Sequence, residues 1–334
     1  MCFWCLCVEK RQAKFFDRKR KYKKMNSTGR KPKVIIICGP TGIGKTSVAI
    51  EIAGAVNGEI ISADSMQIYK HMDIGTAKPS PTELTRVRHH MIDIVNPDEH
   101  FDAALFSGIA HNKVLKLDKR RIVPIVAGGT GLYIKALIHG LFGADPTDPN
   151  IRMKLKEEAD THGAAFLYKR LAKSDPVAAG RIHPNDIYRI IRALELVEAT
   201  GKTISKHHGG HRFADKRYKV LKIGLQMERK ALYDRINQRV DVMIEKGLVD
   251  EVRNLLERGY SENLKSMQSI GYRHMVDFIK ERVLLDETIR CLKRDTRRYA
   301  KRQLTWFNAD PEIVWTKPDH AEDIILRVKD FLQL

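Results

Sequence analysis

Eight consecutive residues, Gly39, Pro40, Thr41, Gly42, Ile43, Gly44, Lys45 and Thr46, fit the pattern G-x4-G-K-[ST]. The chemistry of that pattern is phosphate binding. Glycines let successive backbone N–H groups wrap around phosphate oxygens, and the following helix N-terminus adds partial positive charge. Lys45 would neutralise a terminal phosphate, and the Thr46 hydroxyl could ligate Mg²⁺. A Gly-rich turn that binds nothing is the bland alternative, disfavoured because a strand precedes the motif and a helix follows it. A second candidate is Asp64, which with Ser65 closes the run GEIISADS, so that a carboxylate lies where a strand meets a loop on the phosphate side of the sheet. A helix cap or turn residue explains it equally well on local sequence. Thr130, in Gly128-Gly129-Thr130-Gly131, could offer its hydroxyl and neighbouring amides to another ligand group, or simply turn the chain.

These residues need elements to hold them. KVIIIC from Lys33 reads as a short β-branched strand, and TSVAIEIAGAV after the loop repeats its apolar residues at helical spacing, with Val48, Ala49, Ile52, Ala53 and Val56 on one side. A second strand is predicted over Glu59–Ala63 and a third over Ile122–Ala127, the latter with no acid at its end. Two strand–turn–helix units imply a parallel sheet covered by helices. From Gly140 the chain turns helix-rich, opening on DPTDPN and ending in the polar SKHHGGHRF, as an insertion between core strands would. Within it, DIYRIIR sets Tyr188, Arg189 and Arg192 about one helical turn apart, as phosphate contacts or an ordinary solvated face would require. His207, His208 and His211 lack Cys or carboxylate partners at ligand spacing and read as an exposed loop. YKVLKIGLQM alternates like a returning strand. In the helix after it Arg235 and Arg239 lie four apart, within reach of Asp241 and Glu245 for salt links. Basic side chains then crowd between Lys293 and Arg302 around Tyr299, ahead of Trp306 and Phe307.

Composition narrows the class. The chain has 334 residues, 43% hydrophobic and 30% charged, which fits a large globular protein rather than a disordered one. No apolar run reaches the length of a bilayer span, so no membrane partner is expected. The formal net charge of +19 exceeds what solubility needs and points to a polyanion, nucleic acid first. Residues 1 to 33 hold 12 basic and 2 acidic side chains, about half of that excess. Five cysteines form no disulfide framework, and Cys2, Cys5 and Cys7 lack the second pair a zinc site needs. With a poor secretion signal at MCFWCLCV, a cytoplasmic protein is expected. Met25 is itself a natural start, so residues 1–24 read as an upstream extension or tail.

Several runs resemble the bacterial-type tRNA dimethylallyltransferases, the tRNA isopentenyltransferase family. They are the phosphate loop, ISADSMQIYKHMDIGTAKP from Ile61, HHMIDIVNPDEHFDAALF from His89, VAGGTGLYIKAL from Val126, RIHPNDIYRIIRALE from Arg181, SIGYRHM from Ser269 and KRQLTWF from Lys301. The resemblance runs in order over about residues 33–316. It implies an α/β fold, a P-loop NTPase-like parallel sheet core with a helical insertion lobe. The corresponding division is a basic extension over 1–30, a core over 31–140 and 213–316, an insertion over 141–212 gripping the tRNA anticodon stem-loop, and a C-terminal helix over 317–334.

The implied reaction moves a dimethylallyl group from dimethylallyl diphosphate to N6 of adenosine 37, with Mg²⁺ at Thr46. The phosphate loop would hold the donor's diphosphate rather than ATP, assisted by Arg235 or Arg239. Asp64 would accept the amine proton, with Lys45, Thr46 and Thr130 completing the catalytic group. Implied tRNA contacts are Asp64, Ser65, Met66 and Gln67; Thr130 and Arg152; Tyr188, Arg189, Ile190, Ile191 and Arg192; Gln268, Ser269, Ile270, Gly271, Tyr272 and Arg273; and Lys301, Arg302, Gln303, Leu304, Thr305 and Trp306. Asn308 stands where the family carries Arg. A monomer of the compact bacterial form is expected. A prenyltransferase acting on free adenylate, or a small-molecule kinase, would keep the loop but need no anticodon-sized basic lobe.

Overall fold

An unbroken apolar run such as Val34–Cys38 suits a strand covered on both faces. Strand β1 (Lys33–Cys38) is that strand, with Val34 to Ile37 fully buried. Alternation divides its side chains: Val34, Ile36 and Cys38 enter the core on one face of the sheet, Ile35 and Ile37 the core on the other. The computed structural model describes residues 30–140, 149–206 and 216–334, so the readings of Cys2, Cys5, Cys7, His207, His208 and His211 lie outside the described residues. The chain divides into two units, Met1–Pro32 and Lys33–Leu334, and the architecture below belongs to the second.

After β1 come α1 (Lys45–Ala55), β2 (Gly58–Ser62), α2 (Pro81–Arg86), β3 (His89–His90), α3 (Ala103–Lys119), β4 (Val123–Gly128) and α4 (Gly131–His139). The two predicted strands, Glu59–Ala63 and Ile122–Ala127, are thus displaced by one residue each. Helix starts follow their caps. Ser80 and Glu83 form a reciprocal capping box on α2, and the Asp102 carboxylate accepts from Ala104 and Leu105 N–H on α3.

The insertion contributes α5 (Pro149–His162), α6 (Ala164–Ser174), α7 (Pro176–Ala179) and α8 (Ile187–Thr200). These helices have an apolar centre of their own, built from Leu155, Leu167, Leu171, Ile190, Ile191 and Leu194. The chain then adds β5 (Lys219–Leu225), the helices α9 (Arg229–Glu245), α10 (Leu248–Glu257), α11 (Tyr272–Ile279) and α12 (Leu285–Asn308), the strand β6 (Ile313–Thr316) and α13 (Ala321–Leu332). Helix α13 lays Ile324 and Val328 into the core layer that holds Val48 and Ile52 of α1, and Lys33 Nζ donates to the Leu332 carbonyl at 2.9 Å.

Among the described residues the six strands are all parallel, in the order β3-β2-β4-β1-β5-β6. Strand β1 lies between β4 and β5, where the winding changes direction, and ligands of open α/β sheets bind beyond the carboxyl ends of strands at such a point. The turns after β1, β2 and β4 all emerge there. The two short edge strands carry little sequence signal. Strand β6 is set by pairing with β5, where buried Lys222 meets Asp310 at 2.6 Å and Glu312 at 2.9 Å. Among the described residues no helix is long and apolar enough to cross a membrane.

Candidate active site

The phosphate loop leaves β1 through backbone that only glycine accepts comfortably. Gly39 has φ +145° and passes so close to β5 that a Cβ would stand 2.8 Å from the Leu225 carbonyl oxygen. Gly44, with φ +100°, is the N-cap of α1 and supplies no side-chain cap, so the first N–H groups of that helix face the loop without a competing side chain. Ile43 is fully buried and anchors the loop from below, so only its backbone is available to a ligand. Lys45 folds its ammonium across the loop and donates to the Pro40 carbonyl at 2.7 Å. Burial, helped by the nearby Arg239 charge and opposed by Asp64, lowers its pKa to about 8.

Three charges therefore share this end of the sheet. Lys45 and Asp64 sense each other, and both sense Arg239. Of Arg235 and Arg239 on α9, Arg239 is the half-buried one, its pKa lowered by burial against the opposing effect of Asp64. Arg235 is exposed and borders the loop's rim, with Nη2 3.6 Å from where a Cβ on Gly44 would sit. The salt links open to them in sequence are not formed: among the described residues neither pairs with Asp241 or Glu245, and Asp241 instead meets Lys293 at 2.6 Å.

Asp64 does not cap a helix. Its Oδ1 accepts from Met66 N–H at 2.8 Å and Gln67 N–H at 3.4 Å, closing a turn just beyond β2. One oxygen thus fixes the carboxylate, and the other makes no hydrogen bond among the described residues. Thr130, the N-cap of α4, accepts from Ser65 N–H with Oγ1 at 3.1 Å, while its own N–H donates to the Ala63 carbonyl at 3.2 Å. It ties the β4 turn to the Asp64 turn. Gln67 is engaged internally, accepting from Ser62 Oγ at 2.9 Å and donating to the carbonyls of Thr76 and Ala77. Met66 packs against the core.

The other runs divide between surface and interior. On α12, Lys301, Arg302, Thr305 and Trp306 are exposed and Leu304 is half-buried, whereas Gln303 is buried. The Trp306 indole lies against the start of α4, where a Cβ on Gly131 would strike its Nε1. In the run before α11, Gln268 and Arg273 are exposed, Ser269 and Ile270 half-buried, and Gly271 and Tyr272 buried. The Tyr272 hydroxyl donates to Glu251 Oε1 at 2.5 Å, and Arg273 pairs with Asp295 at 2.8 Å. In the insertion, Tyr188 and Arg189 are exposed, but Ile190 and Ile191 belong to the lobe's centre and offer no surface to a macromolecule. Arg152 and Arg192 converge on buried Glu195 at 2.9 and 3.1 Å, and the Arg152 guanidinium lies 5.8 Å from the Tyr188 ring centre.

Of the tRNA contacts implied over Lys301–Trp306, Gln303 is the one that the helix turns inward. Leu292, Ala300, Gln303 and Phe307 share one buried face of α12, a spacing that the density of charge around them obscures. Tyr299 turns inward beside them, with its hydroxyl against Thr130 and Gln303; burial is the main cause of a pKa raised to about 12.

A parallel sheet with a phosphate loop at its switch point, an acid after the next strand and a basic helical periphery defines a P-loop NTPase-like transferase. The comparisons give the family. The family model for IPP transferase matches residues 67–310. The tRNA dimethylallyltransferase of Desulfosudis oleivorans is 50% identical over 304 residues, covering 91% of this chain and 97% of that protein. The tRNA dimethylallyltransferase 2 of Syntrophus aciditrophicus is 51% identical over 309 residues, covering 92% and 99%. Among solved structures, the full-length tRNA isopentenylpyrophosphate transferase of Bacillus halodurans superposes with a TM-score of 0.69 at 41% identity, covering 91% of this chain and 97% of that one. A eukaryotic dimethylallyltransferase acting on tRNA gives 0.79 at 28% identity, covering 90% and 80%. The chain belongs to the tRNA dimethylallyltransferase family, and it is a prenyl-transferring enzyme of tRNA modification.

Proposed function

We propose that the enzyme transfers the dimethylallyl group of dimethylallyl diphosphate to N6 of adenosine 37, beside the tRNA anticodon. The observation that carries this reading is the meeting of Lys45, Arg239 and Asp64 at the switch point of the sheet. Two cations and the amides of a phosphate loop suit a diphosphate leaving group, because negative charge grows on it as the C–O bond breaks. The exocyclic adenine nitrogen attacks the allylic carbon and must lose a proton as the new C–N bond forms. Asp64, fixed through one oxygen, is set to accept that proton with the other. Arg235 at the rim and Arg239 deeper in then contact the same diphosphate from two heights, so the choice between them left open in sequence becomes a division of roles.

Mg²⁺ fits this site in one form. No group of three or more His, Cys, Asp or Glu side chains among the described residues could hold a metal alone. The ion would therefore take most of its oxygens from diphosphate and water, as Mg²⁺ commonly does, with Thr46 as the protein ligand. When bound it would supply charge neutralisation of the leaving group.

For RNA, exposed Tyr188, Arg189, Gln268, Arg273, Lys301, Arg302 and Trp306 combine cations with aromatic faces, as recognition of a splayed loop requires. The target adenosine would leave the loop stack to reach Asp64. We assign the enzyme to the cytoplasm, acting on the anticodon stem-loop as a monomer. Incubation with labelled dimethylallyl diphosphate and each acceptor tests the assignment: label in tRNA carrying adenosine 37, and in neither AMP nor tRNA with another base there, is the expected result. Label in AMP would replace the reading with adenylate prenylation.

A further inference from the structure

Gln303 is a buried side chain that hydrogen-bonds to both turns of the site. Its Oε1 accepts from the Thr41 N–H of the phosphate loop at 2.8 Å, and its Nε2 donates to the Gly129 carbonyl at 2.9 Å. With only 6% of its surface exposed, it is packed so closely that a Cβ on Gly129 would overlap Nε2 at 2.2 Å. The two turns adjoin here, since the same Cβ would lie 3.5 Å from the Gly39 carbonyl oxygen. Beyond Gly129 the links continue through Thr130 Oγ1 to Ser65 N–H, next to Asp64. The phosphate loop and the Asp64 turn are thus referred to one amide, and that amide belongs to the helix whose outer face carries Lys301, Arg302, Thr305 and Trp306.

We propose that Gln303 is a positioning residue for the transfer, setting the separation between the diphosphate loop and the acceptor-side turn rather than contacting RNA. An amide suits this task because it accepts and donates at once, and each partner is a main-chain group with no alternative geometry to offer. Removing it would free Thr41 and Gly129 together, leaving a half-buried N–H and a buried carbonyl unpaired where the reacting atoms must be held to within a fraction of an ångström. The proposal rests on the donor diphosphate occupying the phosphate loop.

The test measures donor kinetics and anticodon stem-loop affinity for Gln303→Leu, Gln303→Glu and, as a control on the underlying reading, Lys45→Ala. For Gln303→Leu, kcat/KM for dimethylallyl diphosphate should fall about 100-fold, with the stem-loop Kd changed by less than about threefold. Gln303→Glu gives a readout that loss of packing would not move. A protonated carboxyl group accepts and donates as the amide does, whereas the carboxylate opposes the Gly129 carbonyl. Burial raises the pKa of such a group, so the ratio of variant to wild-type activity should climb about tenfold between pH 8 and pH 6. A flat ratio overturns the proposal, as does a tenfold loss of stem-loop affinity with unchanged donor kinetics. Unchanged donor binding in Lys45→Ala would instead remove the donor from the loop, which separates failure of that reading from failure of this one.

Discussion

Lys45 makes the donor site pH-sensitive in a direction that can be stated. Its pKa is held at about 8, below the ordinary lysine value, mainly by burial and by Arg239. A bound diphosphate favours the ammonium form, so donor binding draws a proton onto Lys45 wherever the free enzyme has lost it. Diphosphate affinity should be nearly constant below pH 7 and fall by up to tenfold per pH unit above about 8. Calorimetry in buffers of different ionisation enthalpy should show proton uptake near pH 8.5, and Lys45→Ala should abolish it. Asp64 gives a second test at this scale. If it takes the amine proton, Asp64→Asn should keep both substrates bound and slow single-turnover transfer by about 10²-fold or more. If its purpose is only the turn to Met66 and Gln67, Asn preserves that hydrogen bond, the loss is about 1 kcal/mol of stability or less, and transfer continues at nearly the wild-type rate.

Among the elements, the contact of α10 with the loop after β2 depends heavily on one side chain. Glu251 accepts from the N–H groups of Asp73, Ile74 and Gly75 at 2.8, 2.7 and 3.1 Å and from the Tyr272 hydroxyl. Tyr272 is fully buried, and Gly75 must be glycine because a Cβ there would lie 2.6 Å from the Tyr272 ring. Glu251→Ala would strand four donors at once, and a loss of about 3 kcal/mol is expected in urea unfolding, with Glu251→Gln about half as costly. A loss below 0.5 kcal/mol in the alanine variant, on the scale of an ordinary surface change, would show the clamp to be incidental. Nothing in the sequence singles out Glu251 among the acids, because its main-chain partners lie 176 to 178 residues away. What could be read was local. The β1–loop–α1 unit, the β4 turn and the strand at Lys219 declared themselves by period and by glycine. Strand β3, two residues long, and β6, four residues at the sheet edge, have no period to detect and exist through pairing with β2 and β5. The burial of Gln303 is hidden for a related reason, since the charge pattern of α12 conceals which of its faces is buried.

On the scale of the whole molecule, the basic excess separates into parts with different purposes. The unit from Lys33 onward carries the site, and its exposed cations on α8 and α12 flank aromatic side chains, an arrangement that reads RNA shape as well as charge. Residues 1–24 carry nine basic and two acidic side chains with no motif beyond that charge. Such a segment can raise affinity for any polyanion but cannot choose among them, because phosphate contacts position without specifying. A chain beginning at Met25 should therefore fold and prenylate tRNA at the full chain's rate. Its binding to unrelated RNA should weaken most at low ionic strength. The plot of log K against log salt should be shallower by about 0.7 to 0.9 for each phosphate contact removed. Titrating both chains against a random-sequence RNA and a cognate stem-loop across salt concentrations separates the contributions. Loss of turnover in the shorter chain at saturating tRNA would mean that the leading residues take part in the transfer itself.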